Sequence, residues 1–264
     1  MGQDTIIHGE ANMTATKRVL VITFLFIILF LFGGYTTLDW YQFLTGTADF
    51  ARPEIPYVRA TKVAVSFISA ILVFIIGKDG FNRSDTKRLV LAYAAIAVGD
   101  IFLVFDINMI GMLVFAVAHV FFIIRNGWGF RGYMAQKSTS NRIWDILSAL
   151  FILAIAGGAM GWFFLPTMGP GLMFYLLLVY SLFLGVSLWS AWAAVRIGYM
   201  PKANAWLVAI GLSCFFVSDL LVGVHFATQS GKFQTCAIYI TWLFYTPGLV
   251  LPALSGYKLN RPYG

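Results

Sequence analysis

The chain has 264 residues, of which 60% are hydrophobic and only 11% are charged. A soluble domain of this length carries about 25% charged residues, so the composition excludes an ordinary soluble protein and indicates a membrane protein. The formal net charge is +7. The positions of the basic residues, described below, indicate that this charge faces membrane lipids. The two cysteines, Cys214 and Cys236, provide no disulfide framework and are expected to pack between helices.

Long apolar runs fill nearly the whole chain and predict eight transmembrane helices. A hydrocarbon core of about 30 Å needs about 20 apolar residues in each helix. The predicted spans are residues 19–35, 58–76, 89–105, 107–124, 143–165, 172–195, 205–226 and 235–257. They form one domain over residues 17–258, between a polar tail of residues 1–16 and a short tail of residues 259–264. A tight turn at residues 106–108 separates the third span from the fourth.

The basic residues are distributed unevenly between the two sides of the predicted bundle. Fourteen of the eighteen Lys and Arg residues fall on the side of the termini, and four fall on the other side. The positive-inside rule therefore places both termini in the cytoplasm, and the surplus charge faces anionic membrane lipids rather than nucleic acid. The expected fold class is an all-α, eight-helix transmembrane bundle in a plasma membrane, a bacterial inner membrane or an endomembrane.

Two further features concern the packing of the predicted spans. Residues 36–57 mix aromatic side chains with two prolines, and we expect an interfacial cap over the outer mouth of the bundle. Gly157, Gly158 and Gly161 place small residues on one face of the fifth span, which predicts close approach of a neighbouring helix.

Two aspartates lie well inside predicted spans, Asp100 in the third and Asp219 in the seventh. An aspartate near mid-span costs ~3 kcal/mol and normally faces the bundle interior. From a rise of 1.5 Å per residue, Asp100 lies about 9 Å and Asp219 about 10 Å below the outer helix ends. Because two costly acids on different helices share one level, we expect both carboxyls to face one cavity.

Other polar side chains near that level are candidates for contact with a substrate. Tyr180 and Tyr245 lie about 12–15 Å below the outer surface by the same helix rise, and Ser218 directly precedes the second aspartate. His119 in the fourth span lies about 8 Å deeper than the first aspartate. A zinc site would need three ligands converging on one point. These depths do not favour one, so no metal and no other cofactor is expected.

The surroundings of the two acids resemble the YhhN-like lysoplasmalogenase family of integral membrane proteins. Residues 99–103 (GDIFL), Gly111 and residues 115–119 (FAVAH) resemble that family's small-residue–Asp pair and the G…F…H pattern of the next span. Residues 215–219 (FFVSD) resemble its second aspartate motif, F-x-x-S-D. The chain departs from the family at Lys62, which Val63 follows where the family has a Lys-Pro pair, so no role is assigned to this lysine.

The resemblance implies hydrolysis of the vinyl ether bond of a lysoplasmalogen, a lysophospholipid taken from the bilayer, to a fatty aldehyde and a glycerophospho-alcohol. The residues themselves suit this chemistry. Protonation of the enol carbon creates an oxocarbenium-like cation, which requires a carboxylic acid as proton donor and a carboxylate to stabilise charge or activate water. Paired carboxylates in glycosidases handle the same type of charge. Asp100 and Asp219 are therefore the expected catalytic pair.

Two other functions fit the same residues. Paired intramembrane acids also form proton relays or cation sites in transporters. Asp100 and Asp219 lie on the third helix of each four-helix half, as in carriers built from parallel repeats. A scaffold protein whose acids only join helices is the third alternative. Solute flux in proteoliposomes would identify the transporter and aldehyde release the hydrolase, whereas the scaffold predicts neither.

Overall fold

The computed structural model describes residues 13–48, 56–80, 82–136, 138–198, 200–228 and 231–258. The predicted tails therefore fall largely outside the described residues. The helices are α1 (Ala15–Thr45), α2 (Pro56–Phe74), α3 (Arg83–Val104), α4 (Asn108–Asn126), α5 (Phe130–Gln136), α6 (Thr139–Ala159), α7 (Leu165–Met168), α8 (Leu172–Ile197), α9 (Lys202–Ala227) and α10 (Lys232–Leu254). A π-helical segment, Met160–Phe164, joins α6 directly to α7. The described residues thus form nine helices rather than the predicted eight, and the unpredicted one is the short α5.

Six of the described helices are long and apolar enough to cross a membrane, which makes the chain a multi-pass membrane protein. They are α1, α4, the rod from α6 to α7, α8, α9 and α10. The predicted count of eight spans is therefore not confirmed. The other two predicted spans correspond to α2 and α3, which carry two and five Asp, Lys or Arg side chains respectively. Such residues reduce the apolar character of a helix.

Six helices form a closed ring in which α2, α3, α4, α8, α9 and α10 each pack against the next, and α10 returns to α2. Helix α1 packs outside the ring on α2 and α10, and α6 packs outside it on α8. The turn between α3 and α4 contains Asp106, whose φ of 57° is left-handed, a conformation that aspartate tolerates better than most residues. The predicted tight turn is confirmed.

Helices α3 and α4 approach closely because two glycines face the opposing helix. A Cβ atom at Gly99 would come within 2.8 Å of the Phe115 ring, and one at Gly111 within 2.9 Å of Leu103. Only glycine leaves room for these side chains at this helix separation. Gly99 directly precedes Asp100, so the same contact determines where that carboxyl lies.

The glycines of the fifth predicted span behave differently. A Cβ atom at Gly157, Gly158 or Gly161 would meet no atom of the described residues within 4 Å. The predicted close helix contact at these positions is wrong, because α6 lies outside the ring and packs on α8 through another face. There, a Cβ atom at Gly185 would lie 3.4 Å from Leu153.

The predicted interfacial cap is also partly wrong. Helix α1 continues to Thr45, so residues 36–45 extend a helix instead of forming a separate interfacial segment. Thr45 is followed by Gly46, whose φ of 70° and backbone hydrogen bonds to α1 end the helix. Residues 49–55 of the expected cap lie outside the described residues.

A buried ion pair holds the ring together where α3 begins and α4 ends. The fully buried Arg125 guanidinium donates to both carboxylate oxygens of Asp85, at 2.8 and 3.0 Å. It also donates to the side-chain and backbone oxygens of Ser255, at 2.9 and 3.2 Å. The Asn204 amide donates to the carbonyls of Ser255 and Tyr257, at 2.8 and 2.5 Å. This inner polar cluster connects α3, α4 and α9 to the C-terminal end of α10.

Candidate functional site

A cavity lies at the centre of the helix ring, near the end where α3 and α9 finish. Its volume is about 90 Å³. Its walls are Asp100, Leu103, Met112, Phe115, Leu177, Tyr180, Asp219, Val222, Gly223, Thr241, Trp242 and Tyr245. Both aspartates line this one cavity, as their common depth in the sequence predicts.

Asp100 is buried and surrounded by hydroxyl groups. The Tyr245 hydroxyl on α10 lies 2.9 Å from each of its carboxylate oxygens and acts as donor. The Ser66 hydroxyl on α2 donates to Oδ2. Among the described residues, no basic side chain forms an ion pair with Asp100. Buried carboxylates are normally paired with a cation, so this one is unusual.

Asp219 has a different set of neighbours. Its side chain is 10% exposed, and the Tyr180 hydroxyl on α8 donates to Oδ2. The Nε2 atom of His119 lies 3.6 Å from the same oxygen, slightly beyond hydrogen-bond distance. The Ser218 hydroxyl donates to Oδ1 over a long 3.4 Å. Each aspartate thus accepts a hydrogen bond from a tyrosine on a facing helix.

His119 lies behind the cavity in an aromatic environment. Its ring is 5.2 Å from the Phe215 ring and 5.8 Å from the Tyr180 ring, both edge-to-face. Its Nδ1 atom is buried without a hydrogen-bond partner among the described residues. The helix-rise estimate placed this ring deeper than the first aspartate, yet it reaches Asp219. Side chains lean along the helix axis, so residues at different backbone depths can meet.

The four predicted substrate-contacting residues fall into two groups. Tyr180 and Tyr245 line the cavity and bind the two carboxyls. His119 and Ser218 are not part of the cavity wall in the described structure, and both adjoin Asp219. Contact of these four residues with a substrate stays a prediction.

Sequence reasoning did not identify the contribution of α2. Ser66 binds Asp100 directly, and Lys62 lies one helical turn before it. The Lys62 ammonium forms an ion pair with Asp39 of α1 at 2.7 Å, and both side chains are buried. The four-residue spacing of Lys62 and Ser66 places both on one face of α2. That spacing of two polar residues within a predicted span is the available signal.

The buried lysine also lies among aromatic rings. Its Nζ atom is 5.2 Å from the centre of the Trp242 ring and 5.6 Å from those of Tyr35 and Tyr239. Cations are attracted to the faces of such rings. Trp242 is itself a wall of the cavity, so the buried Lys62–Asp39 ion pair lies behind one side of the site.

The site is suited to proton transfer. Two carboxyls from α3 and α9 face one small cavity, and each is oriented by a phenol hydroxyl. A pair of this kind can provide one proton donor and one proton acceptor to a molecule between them.

Comparison with known proteins gives one match. The model of the YhhN family matches residues 58–255, a stretch that includes both aspartates and reaches from α2 to α10. No curated protein and no solved structure matches the chain.

Proposed function

The chain belongs to the YhhN family, and on this premise we propose that it is a membrane-embedded hydrolase that cleaves the vinyl ether bond of lysoplasmalogens. The products are a fatty aldehyde and a glycerophospho-alcohol. The observation that carries the proposal is that Asp100 and Asp219, from opposite helices of the ring, line one cavity. No cofactor is invoked, because the reaction requires only proton transfer and water.

The proposed reaction adds one water molecule to the vinyl ether. The carboxylic acid of one aspartate donates its proton to the alkenyl carbon remote from the ether oxygen, and the double-bond electrons form the new C–H bond. The second aspartate, as a carboxylate, stabilises the oxocarbenium ion and then takes a proton from the attacking water. The product of this half is a hemiacetal.

The second half of the reaction restores both carboxyls. The hemiacetal hydroxyl returns a proton to the first aspartate, and the second aspartate donates its proton to the glycerol oxygen. The C–O bond to that oxygen then breaks, which releases the aldehyde and the alcohol. Tyr180 and Tyr245 hold the carboxyls in position throughout.

The decisive experiment is a panel of defined lysolipids incubated with the purified protein, with products identified by mass spectrometry. We expect aldehyde release from vinyl ether lysolipids. The matched alkyl ether and acyl lysolipids should give none. Neither has a carbon–carbon double bond next to the oxygen, so no carbon can be protonated to form an oxocarbenium ion. Absence of aldehyde from every vinyl ether head group tested would refute the proposed activity.

We also propose that α2 and α3 cross the membrane, so that the chain has eight spans with both termini in the cytoplasm. These helices belong to the closed ring, and their 19 and 22 residues extend over about 28 and 33 Å, enough for the hydrocarbon core. Cysteines introduced as Lys137→Cys and Gly264→Cys, at positions outside the described residues, should react only from the cytoplasm. Labelling of either from outside would contradict this topology.

A proton- or cation-coupled transporter of small solutes is the second candidate. It is favoured by a specific observation, the buried Asp100 that lines a cavity and forms no ion pair with a described residue. Solute-dependent proton flux in proteoliposomes, without aldehyde release, would support the transporter over the hydrolase.

A further inference from the structure

The two sides of the cavity differ in polarity. Helices α3 and α9, which carry the aspartates, lie opposite each other in the ring, with α10 and α2 on one side and α4 and α8 on the other. On the α10 side the wall is Thr241, Trp242 and Tyr245, and the buried Lys62–Asp39 ion pair lies behind the indole ring. On the other side the wall is Met112, Phe115, Leu177 and Tyr180, of which only Tyr180 is polar, and its hydroxyl is bonded to Asp219.

The apolar side continues into a second hydrophobic cluster of the protein. Met112 and Leu177 are members of both the cavity wall and this cluster. Its other buried members are Met160, Phe164, Phe174 and Ala227. These six residues are called the outer apolar cluster. The outer apolar cluster is separate from the main core of the ring.

Phe164 lies at the boundary between the cavity and the outer apolar cluster. A Cβ atom at Gly223, a residue of the cavity wall, would come within 2.8 Å of the Phe164 ring. The ring therefore packs directly against the cavity wall. Phe164 belongs to the π-helical segment, and such segments occur frequently at functional sites because they interrupt regular helical hydrogen bonding.

The rod that carries Phe164 lies at the edge of the bundle. Only 11% of the most apolar stretch in the rod from α6 to α7 is buried inside the protein, compared with 50% in α10. Met160, Met168 and Met173 contribute to the cluster or pack against it. Methionine side chains are flexible and adapt to irregular shapes. The side chains around Phe164 can therefore rearrange to admit a ligand.

The size of the cavity requires such a change. A cavity holds one water in about 10–15 Å³, so 90 Å³ accommodates several waters but not a long hydrocarbon chain. The chain of an amphiphilic substrate must occupy space that side chains now fill. The outer apolar cluster is the hydrophobic space that adjoins the cavity.

We propose that the outer apolar cluster is the subsite for the hydrocarbon chain of the substrate, and that Phe164 limits the chain length it accepts. The chain displaces the Phe164 ring from Gly223, and the polar head group lies toward Trp242 and Lys62. This inference rests on the proposed function, since the vinyl ether bond must lie between the two aspartates.

Photolabelling tests this orientation without turnover. The probe is an alkyl ether lysophospholipid, which the enzyme does not cleave, with a diazirine at the end of its chain. After irradiation of the wild-type protein in lipid nanodiscs, the labelled residues are identified by mass spectrometry. We expect label on Met160, Phe164 or Met112. Label confined to α10, or to side chains on the lipid-facing surface, would overturn the proposal.

Chain-length preference provides the second test. Phe164→Ala should raise the ratio of kcat/KM for longer over shorter vinyl ether lysolipids by about tenfold, because extra methylenes gain a hydrophobic contact. Phe151→Ala is the matched control, since Phe151 is exposed on α6, and the ratio should stay unchanged. An unchanged ratio for a folded Phe164→Ala variant would contradict the inference.

Gly223→Ala probes the same boundary from the opposite side. The added methyl group must push Phe164 toward the outer apolar cluster, so preference should shift about tenfold toward shorter chains. Gly161→Ala, whose Cβ meets no described atom within 4 Å, is the control. Specific labelling without aldehyde release would refute the hydrolase but leave the chain subsite. Aldehyde release with neither the labelling nor the shifts would refute the subsite alone.

Discussion

Helix α3 carries two aspartates with equal burial and different surroundings. Asp85 in its first turn and Asp100 in its last turns are both 4% exposed, and they lie about 22 Å apart along the helix. Arg125 neutralises Asp85 with two hydrogen bonds, whereas Asp100 receives bonds from hydroxyl groups. Burial alone therefore does not identify a functional acid. The absence of a compensating cation next to a cavity is the distinguishing feature.

The strongest test of this comparison removes the acidity of the cavity carboxyls. Asp100→Asn and Asp219→Asn should each lower the rate of aldehyde release by about a thousandfold, because Asn cannot exchange the catalytic proton. Thermal stability should hold or rise, since each change removes a buried ionisable group. The double variant should be scarcely slower, because the pair acts as one unit. Near-normal turnover in both single variants would disprove the paired-carboxyl mechanism.

Substitutions at the opposite end of α3, in the Asp85–Arg125 ion pair, should change the stability of the protein rather than its activity. Arg125→Met leaves Asp85 buried without its cation, which should lower the free energy of unfolding by about 3–5 kcal/mol. Adding Asp85→Asn should recover part of that loss. Thermal unfolding in detergent measures the change, and the specific activity of the folded fraction should stay close to wild type. A stable but inactive Arg125→Met variant would remove the distinction between the two sites.

The tyrosine donors allow a finer test within the cavity. Tyr180→Phe and Tyr245→Phe each delete one hydrogen bond to a carboxyl, and each should reduce kcat about tenfold, the effect of about 1.4 kcal/mol. Tyr175→Phe is the control, because Tyr175 lies on α8 five residues before Tyr180 but is exposed. If the control loses as much activity as the two cavity variants, the hydrogen bonds have no specific role.

The smallest effect is expected at His119. Its Nε2 atom lies 3.6 Å from Asp219, which is too long for a strong hydrogen bond. His119→Gln should reduce kcat only about threefold, with stability near wild type. A loss as large as that of Asp219→Asn would assign His119 to the catalytic unit itself, together with the carboxyl it contacts.

Several features of this protein could not be predicted because they depend on which helix faces meet. The sequence assigns Lys62 no role. Its partner Asp39 lies on another helix, and the two form an ion pair only in the folded bundle. Gly157, Gly158 and Gly161 form a small-residue face on one helix, whereas Gly99 and Gly111 are single glycines on α3 and α4. Only the latter two face a neighbouring helix. Residue type on a helix indicates what contact is permitted, and the position of the helix in the bundle decides whether it occurs.

The sequence by itself determined the all-α membrane class, the approximate limits of the long helices other than α1, and the shared level of Asp100 and Asp219. These follow from one physical constraint, the cost of exposing polar groups to hydrocarbon, which acts on each helix separately. Only the tertiary structure decided that hydroxyl groups surround Asp100, that His119 reaches Asp219 and that Phe164 packs against the cavity wall. Such contacts arise from the rotation, tilt and order of helices in the ring, which packing between helices sets.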